Sequence, residues 1–268
     1  MEEIMLRIFV FVVGAAIGSF LNVCIVRLPQ GKSILRPGSQ CVHCQKPIRW
    51  YDNIPLVSYW LLKGRCRFCH KKISFRYFVV ELTTALLFLW FYLYFGRTVV
   101  LIPYFVLVCG LIAATFIDLE HRIIPDEISL GGMLVGLLLS ILFPQLHEAS
   151  SWFVSLGRSF LGLVVGGGAI YLMGLLGDFL FKKESMGGGD VKLLAMIGSF
   201  LGWPTTLLAF FIAPFLGAIV GIIIKLRTKE SVIAYGPFLS WGALVSLFWG
   251  DQIVHWIFSG YGFDVLLK

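Results

Sequence analysis

The sequence predicts an all-α polytopic membrane protein with about eight transmembrane helices and a small cytoplasmic loop domain resembling a four-cysteine zinc ribbon. Three observations predict this class. Hydrophobic residues occupy 58% of the 268 positions and charged residues only 14%, whereas soluble domains average about 45–50% and about 25%. The apolar residues form long runs, and four cysteines lie together in one basic segment. This composition excludes a soluble enzyme, a disordered protein and a small disulfide-linked scaffold.

The first apolar run is long enough to cross a membrane. A spanning helix needs about 20 predominantly apolar residues, and Ile4–Val26 meets this with Arg7 as its only charge. Glu2 and Glu3 precede it in place of a basic run, and the run is too long for the apolar part of a signal peptide. We therefore predict an uncleaved first transmembrane helix, residues 1–26, with its N-terminus outside.

Seven further runs follow the basic segment and make residues 77–268 the predicted transmembrane core. They are Tyr77–Phe95, Val99–Ile117, Ile128–Phe143, Phe160–Phe181, Val191–Trp203, Thr205–Ile224 and Gly236–Phe258. The run at 191–203 is short for a full span, so a tilted or partly re-entrant helix remains open there.

The basic residues are distributed unevenly along the chain. The segment 27–76 holds 11 of the 22 Lys and Arg residues against a single acid, Asp52, and so carries a charge of +10. Under the positive-inside rule this segment is a cytoplasmic loop. Eight spans also place 118–127, 182–190 and 225–235 in the cytoplasm, where the basic residues include Lys182, Lys183, Lys225, Arg227 and Lys229. The outside connections carry only Arg97 and Arg158. We expect no nucleic-acid partner, since no sheet pattern with stacking aromatics is present.

Two C-x-x-C pairs, separated by 21 residues, lie in this loop: Cys41, Cys44, Cys66 and Cys69. The spacing is typical of a tetrahedral zinc site, in which each pair supplies two thiolates. A reducing cytoplasm disfavours disulfides. Four thiolates leave no position for water, so we predict a structural zinc ion that folds a loop with few apolar residues. His43 and His70 adjoin the pairs and remain alternative ligands.

Two aspartates stand out because acidic residues are scarce. Asp118 directly follows the uncharged run Val99–Ile117, and Asp190 follows Gly187, Gly188 and Gly189. The predicted topology puts both at the cytoplasmic face. Two carboxyls that share a proton provide an acid and a base at neutral pH, as hydrolysis of a peptide by an activated water requires. The glycines let a substrate backbone approach closely.

Spacing alone leaves other interpretations open. Asp190 also fits the N-cap of a helix that starts at Val191, and Asp118 fits an ordinary solvated loop. Asp126 is nearly as good a partner for Asp190 as Asp118 is. Asp178 lies inside a predicted span, where a charge at mid-membrane costs about 2.5–3.5 kcal/mol, so we expect it near polar groups or near the interface.

A series of short segments in a fixed order extends from about residue 14 to about residue 240. The segments are Gly18-Ser19-Phe20-Leu21-Asn22-Val23, Arg27-Leu28-Pro29, Trp50-Tyr51-Asp52-Asn53-Ile54-Pro55, Arg76-Tyr77 with Glu81, Phe116-Ile117-Asp118, Ile124-Pro125-Asp126, Gly187-Gly188-Gly189-Asp190 with Val191-Lys192-Leu193-Leu194, and Tyr235-Gly236-Pro237-Phe238-Leu239. In this series the chain resembles the type IV prepilin peptidase family, also called leader peptidase/N-methyltransferase. A GxGD motif alone is a weak signal, whereas the ordered series is specific.

This resemblance implies an aspartic peptidase of the bacterial inner membrane. Its substrates are type IV prepilins and type II secretion pseudopilins, whose basic leader peptides are cut at the cytoplasmic face. The resemblance selects Asp118 over Asp126 as the catalytic partner of Asp190. Gly187, Gly189 and Lys192 are candidate substrate-binding residues, with contact between Lys192 and lipid headgroups as the alternative.

The family resemblance also implies a second activity, methylation of the new N-terminal phenylalanine with S-adenosylmethionine. The residues themselves indicate no nucleotide-binding fold, since no strand leads into a glycine-rich turn. Family members without the cysteine loop cleave leaders but do not methylate, which makes 27–76 the candidate methylation segment. The chain departs from the family at Gly188, where a bulkier apolar residue is common. The basic leader has no partner in the basic loop, so Glu120, Glu127 or lipid phosphate are the candidates.

Two other classes of function compete with the peptidase. An ion-coupled transporter needs charges near mid-span in several helices, and only Asp178 qualifies. A non-catalytic zinc-bearing scaffold for pilus or secretion assembly would survive the loss of both aspartates, whereas a peptidase would not.

Overall fold

The described part of the protein is mainly α-helical. The computed structural model describes residues 1–182, 186–228 and 234–259. These residues contain isolated β-bridges at Gln40–Pro47 and Arg65–Lys72 and no longer strand, which confirms the all-α prediction. The helices are α1 (Glu2–Arg27), α2 (Val57–Leu61), α3 (Arg76–Phe95), α4 (Leu101–His121), α5 (Asp126–Leu142), α6 (Trp152–Phe181), α7 (Gly188–Thr228) and α8 (Gly236–Ser259).

Each predicted apolar run lies on one of these helices to within two residues at its ends. The runs at 191–203 and 205–224 share α7, whose backbone leaves the helical conformation at Gly202, with φ 74° and ψ 171°. A positive φ favours glycine, and Pro204, two residues later, cannot donate a backbone hydrogen bond. The boundary between these two runs therefore coincides with a break in the helix.

Among the described residues, five helices are long and apolar enough to cross a bilayer: α1, α3, α4, α6 and α7. The shorter α5 has 17 residues. The chain is thus a helical membrane protein with several candidate spans, while length and composition do not confirm a total of eight. Lys183 and Lys229, which the predicted topology places in cytoplasmic loops, lie outside the described residues. The side chains of Lys225 and Arg227 lie outside them as well.

The helices form two compact units, Met1–Pro125 and Asp126–Lys268. In the first unit, α1 packs along α3, and α4 contacts both. Two glycines of α1 permit this approach: a Cβ added at Gly14 or Gly18 would lie 2.8 Å from the Cα of Ala85 or Glu81, respectively. Because small residues let helix backbones approach closely, any larger side chain at either position would separate α1 from α3.

Ion pairs mark the two ends of the first unit. Arg97, between α3 and α4, binds Glu2 and Glu3 at 2.9 and 3.1 Å. At the opposite end, Arg76 of α3 pairs with Glu120 in the last turn of α4. The cysteine loop enters α3 at the Arg76 end. Asp118 therefore lies at the same end of this unit as the loop.

In the second unit, α7 packs against α5, α6 and α8. The closest contact joins α6 to α7, where a Cβ on Gly162 would lie 2.1 Å from the Gly198 carbonyl oxygen. One turn away, the Ser159 hydroxyl donates to the Ser199 carbonyl at 2.6 Å. The backbones of α6 and α7 thus meet without intervening side chains.

We expect Gly162→Ala to destabilise the protein by about 1–3 kcal/mol, because the new methyl group overlaps α7. The matched control is Gly168→Ala on the same helix, where an added Cβ meets nothing within 4 Å. Alanine there should be neutral or stabilising by about 0.5–1 kcal/mol. The thermal unfolding midpoint of each protein in detergent checks this, and equal midpoints for the two variants would contradict the packing described.

Candidate active site and metal centre

The four loop cysteines form one cluster, consisting of Cys41, Cys44, Cys66 and Cys69. Their sulfur atoms all lie within 4.8 Å of one another, and none forms a disulfide. The Sγ–Sγ distances are 3.9 Å for Cys41–Cys69 and 4.0 Å for Cys44–Cys66. Ligands at about 2.3 Å in a tetrahedron are separated by about 3.8 Å. The cluster therefore has the size of a four-thiolate metal site.

The two halves of the cluster repeat one backbone pattern. Cys41 accepts a hydrogen bond from the Gln45 N–H and donates to the Lys46 carbonyl; Cys66 does the same with His70 and Lys71, all at 2.9–3.0 Å. Gln45 and His70 both have a φ of 56°. His70 is thus a turn residue. Neither His70 nor His43 belongs to the ligand cluster.

The thiols of the cluster differ in acidity. The backbone N–H of Cys69, and then that of Phe68, bind the Cys66 sulfur and lower the pKa of Cys66 to about 7. At Cys69 the Lys71 N–H favours the thiolate, but desolvation and the neighbouring sulfurs outweigh it and raise the pKa to about 11. Four adjacent thiolates repel one another, and a divalent cation offsets that repulsion.

We expect Cys66→Ser to lower the metal bound per chain severely, because it removes one of four ligands. Cys109→Ser, on a cysteine of α4 outside the cluster, is the matched control and should retain the metal. Elemental analysis of the purified proteins measures both. Equal metal content would contradict the assignment of the cluster.

Asp118 lies in the last turn of α4 and is 6% exposed. Its backbone carbonyl accepts from the Arg122 N–H at 2.8 Å, and Arg122, with φ 56°, ends the helix. The other acids nearby, Glu120, Asp126 and Glu127, are exposed. Asp118 is therefore a buried carboxyl, and the interpretation as part of a solvated loop does not hold for it.

Asp190 lies in the first turn of α7, two residues after the helix begins. The N-cap interpretation is therefore wrong, since the helix starts at Gly188 and not at Val191. A carboxylate in this turn is favoured by the helix dipole. A Cβ added at Gly187 would lie 3.5 Å from Asp190 Oδ2, so glycine leaves the space beside the carboxylate open.

Lys192 forms an ion pair that the sequence did not suggest. Its Nζ lies 2.6 Å from Oδ1 of Asp126, which links the first turn of α7 to the first residue of α5. A role for Lys192 in substrate binding therefore involves Asp126 as well. The two residues are 66 positions apart, and no sequence periodicity connects them.

Tyr235 lies just before α8, close enough to Asp190 to be affected by its charge. Burial, and then the negative charge of Asp190, raise the pKa of Tyr235 to about 12. Its buried hydroxyl has no hydrogen-bond partner within the described ranges. Tyr235 therefore stays protonated and retains a free hydrogen-bond donor on the same side of the second unit as Asp190.

Asp178, which the sequence places inside a predicted span, lies in the last turn of α6, near the helix end.

These features define the class: a helical membrane protein with a loop whose four cysteines could hold a metal ion and with two aspartates at helix ends. Asp118 belongs to the first unit and Asp190 to the second. Two family models match the chain, the bacterial peptidase A24 N-terminal domain over residues 12–95 and the type IV leader peptidase family over residues 105–222. The chain belongs to the type IV leader peptidase family.

Curated relatives agree with this assignment. A prepilin leader peptidase/N-methyltransferase of Myxococcus xanthus is 42% identical over 84% of this chain and 64% of its own length. Proteins of the same name from Legionella pneumophila and Aeromonas hydrophila are 33% and 35% identical and are covered over 92% and 93% of their length. The chain thus spans just under two thirds of the Myxococcus protein and almost all of the other two. No solved structure matches the chain significantly.

Proposed function

We propose that this chain removes the basic leader peptide from type IV prepilins and type II secretion pseudopilins, and then methylates the new N-terminal phenylalanine. Family membership supports an enzyme that is both a prepilin leader peptidase and an N-methyltransferase. The observation that carries the peptidase assignment is the buried carboxyl of Asp118 at the end of α4, in a chain that also carries the GxGD sequence of its family at Asp190.

In the proposed mechanism, Asp118 and Asp190 act as a catalytic pair. One carboxylate takes a proton from water, whose oxygen bonds to the scissile carbonyl carbon. The other carboxyl gives its proton to the leaving amine as the carbon–nitrogen bond breaks. Two adjacent carboxyls hold different protonation states because like charges disfavour double ionisation. Either aspartate fits either role.

The membrane contributes to substrate binding in this proposal. A substrate anchored by its hydrophobic helix presents its scissile bond at the interface, which supplies proximity. Gly187 and Gly189 leave room for the substrate backbone, and Lys192 binds it together with Asp126. The exposed carboxyls of Glu120 and Glu127, with lipid phosphate, complement the basic leader.

We expect Asp118→Asn and Asp190→Asn each to lower the rate of leader cleavage by at least about 10²-fold, the low end of what acid–base groups contribute. The assay uses purified protein in detergent and a purified prepilin, with metal content measured to exclude misfolding. Asp126→Asn tests the rival partner and should be far milder. Asp251→Asn, on an exposed residue of α8, is the control. Near wild-type cleavage by either catalytic variant would contradict the assignment of Asp118 and Asp190 and make Asp126 the next candidate, whereas no cleavage by the wild-type protein would favour the non-catalytic scaffold.

The metal in this proposal is a structural zinc ion. It is held by four thiolates, those of Cys41, Cys44, Cys66 and Cys69. Because they fill the tetrahedron, the zinc ion has no open position for a catalytic water. When bound, zinc supplies the folding energy that a loop of this size lacks. Zinc rather than another divalent ion fits four thiolates in tetrahedral arrangement.

The proposed topology has eight spans in the bacterial inner membrane. The N-terminus lies outside, and the cysteine loop and both aspartates face the cytoplasm. The charge asymmetry of the loops supports this orientation. The corresponding segments are a first helix at 1–26, a metal-binding loop at 27–76 and a peptidase core at 77–268.

We expect a membrane-impermeant maleimide to label Ser150→Cys on cells with a permeable outer membrane. Ser33→Cys should react only after the inner membrane is opened. Both positions are exposed, so accessibility to the reagent reports the side of the membrane. The parent protein gives the background, and the opposite pattern would reverse the orientation.

A further inference from the structure

The short helix α2, in the middle of the cysteine loop, has an exposed apolar face. Val57, Trp60 and Leu61 are 49%, 66% and 73% exposed. Because residues three and four positions apart lie on one side of a helix, these three side chains share that face. Ser58 is buried, and its hydroxyl accepts from the Ile54 N–H at 3.0 Å. The polar side of α2 is thus fixed to the loop, and its apolar side is open.

The exposed face lies beside the start of a candidate membrane span. The Trp60 ring contacts the Phe78 ring edge to face, with centroids 5.6 Å apart, and Phe78 belongs to the first turn of α3. Tyr59 and Phe75 complete this aromatic cluster, at 5.7 and 5.5 Å from Phe78. Since α3 is long and apolar enough to cross a bilayer, its first turn marks the interface, where Trp and Tyr are enriched in membrane proteins.

A shallow basic pocket adjoins the exposed face. Its lining includes Leu61 and the cationic side chains of Lys63, Arg65 and Arg67. Arg67 binds Asp52 at 2.6 Å. Lys63 and Arg65 are exposed, and neither forms an ion pair with an acid in the described part of the chain. An anionic group such as a phosphate would compensate these two charges.

The sulfur cluster accounts for only part of the positive charge around it. Four thiolates around one divalent ion leave a net charge of about −2, whereas the segment 27–76 carries +10. Most of this charge is therefore uncompensated within the loop. An apolar face at interface depth, next to uncompensated basic residues, matches a phospholipid with an anionic headgroup.

We infer that α2 and its basic pocket bind the bilayer surface by holding an anionic phospholipid. Trp60 and Leu61 enter the boundary between headgroups and acyl chains, and Lys63 and Arg65 bind the phosphate. Burial of apolar side chains and attraction to anionic lipid strengthen each other in such segments. The site is separate from both aspartates and fixes the cysteine loop to the membrane in addition to the helices on either side of it.

Photolabelling of the full-length protein in nanodiscs tests the inference. The probe is phosphatidylglycerol that carries a diazirine on an acyl chain close to the glycerol, and labelled tryptic peptides are identified by mass spectrometry. Trypsin cuts after Arg49 and Lys63, so the peptide 50–63 carries α2 without any residue of α1 or α3. We expect label in this peptide. The peptide 77–97, which carries most of α3, is the positive control.

An unlabelled peptide 50–63 beside a labelled peptide 77–97 would overturn the inference, as would be seen if a second copy of the chain covered the face. The lipid class is tested with the same diazirine on phosphatidylcholine, at the same mole fraction in the same nanodiscs. Each basic residue near an anionic surface favours it about five-fold. We therefore expect at least about five-fold more label from phosphatidylglycerol, and equal labelling by the two lipids would overturn the inference.

A double variant tests the assigned residues. Lys63→Gln with Arg65→Gln should abolish the preference for phosphatidylglycerol, measured on the peptide 50–67 because the cut after residue 63 is lost. Lys32→Gln with Lys46→Gln is the matched control, since it removes two charges at exposed positions of the same loop outside the pocket. The control should keep the preference. A preference that survives in the first variant, or is lost equally in both, would overturn the inference.

Discussion

The confinement of charge to helix ends is the constraint on which the structure depends. Hydrocarbon solvates neither ions nor unpaired polar groups, and α4 accordingly carries no charge before Asp118. Where charges occur, they tie neighbouring helix ends together, as Arg97 does with Glu2 and Glu3 and Lys192 with Asp126. The same constraint places both aspartates at helix ends, Asp118 in the last turn of α4 and Asp190 in the first turn of α7.

The cysteine loop needs a source of stability other than a hydrophobic core. Its residues between α1 and α3 include one short helix and isolated bridges, and several of its large apolar side chains, such as Leu35, Trp50 and Trp60, are exposed. A loop without a hydrophobic core needs another source of stability. The four sulfurs bring its two halves together at one point, and Glu81 fixes the segment between them to α3.

Local patterns predicted much of this arrangement, and their limits have a physical origin. The lengths of the apolar runs predicted the helices, the boundary before Pro204 predicted the break in α7, and the spacing of two C-x-x-C pairs predicted the sulfur cluster. The pair Lys192–Asp126 and the bond from Leu56 to Glu81 join residues 66 and 25 positions apart. Such contacts arise from packing and leave no periodic signal.

The bond between Leu56 and Glu81 has a thermodynamic consequence. Leu56 has a φ of 64°, a conformation unfavourable for a branched residue, and its N–H donates to the Glu81 carboxylate of α3 at 2.7 Å. This bond links the segment between the two cysteine pairs to the first turns of α3. Coupling between two linked elements is reciprocal, so each affects the stability of the other by the same free energy. Folding of the loop around its sulfur cluster and the packing of α3 are thus thermodynamically coupled.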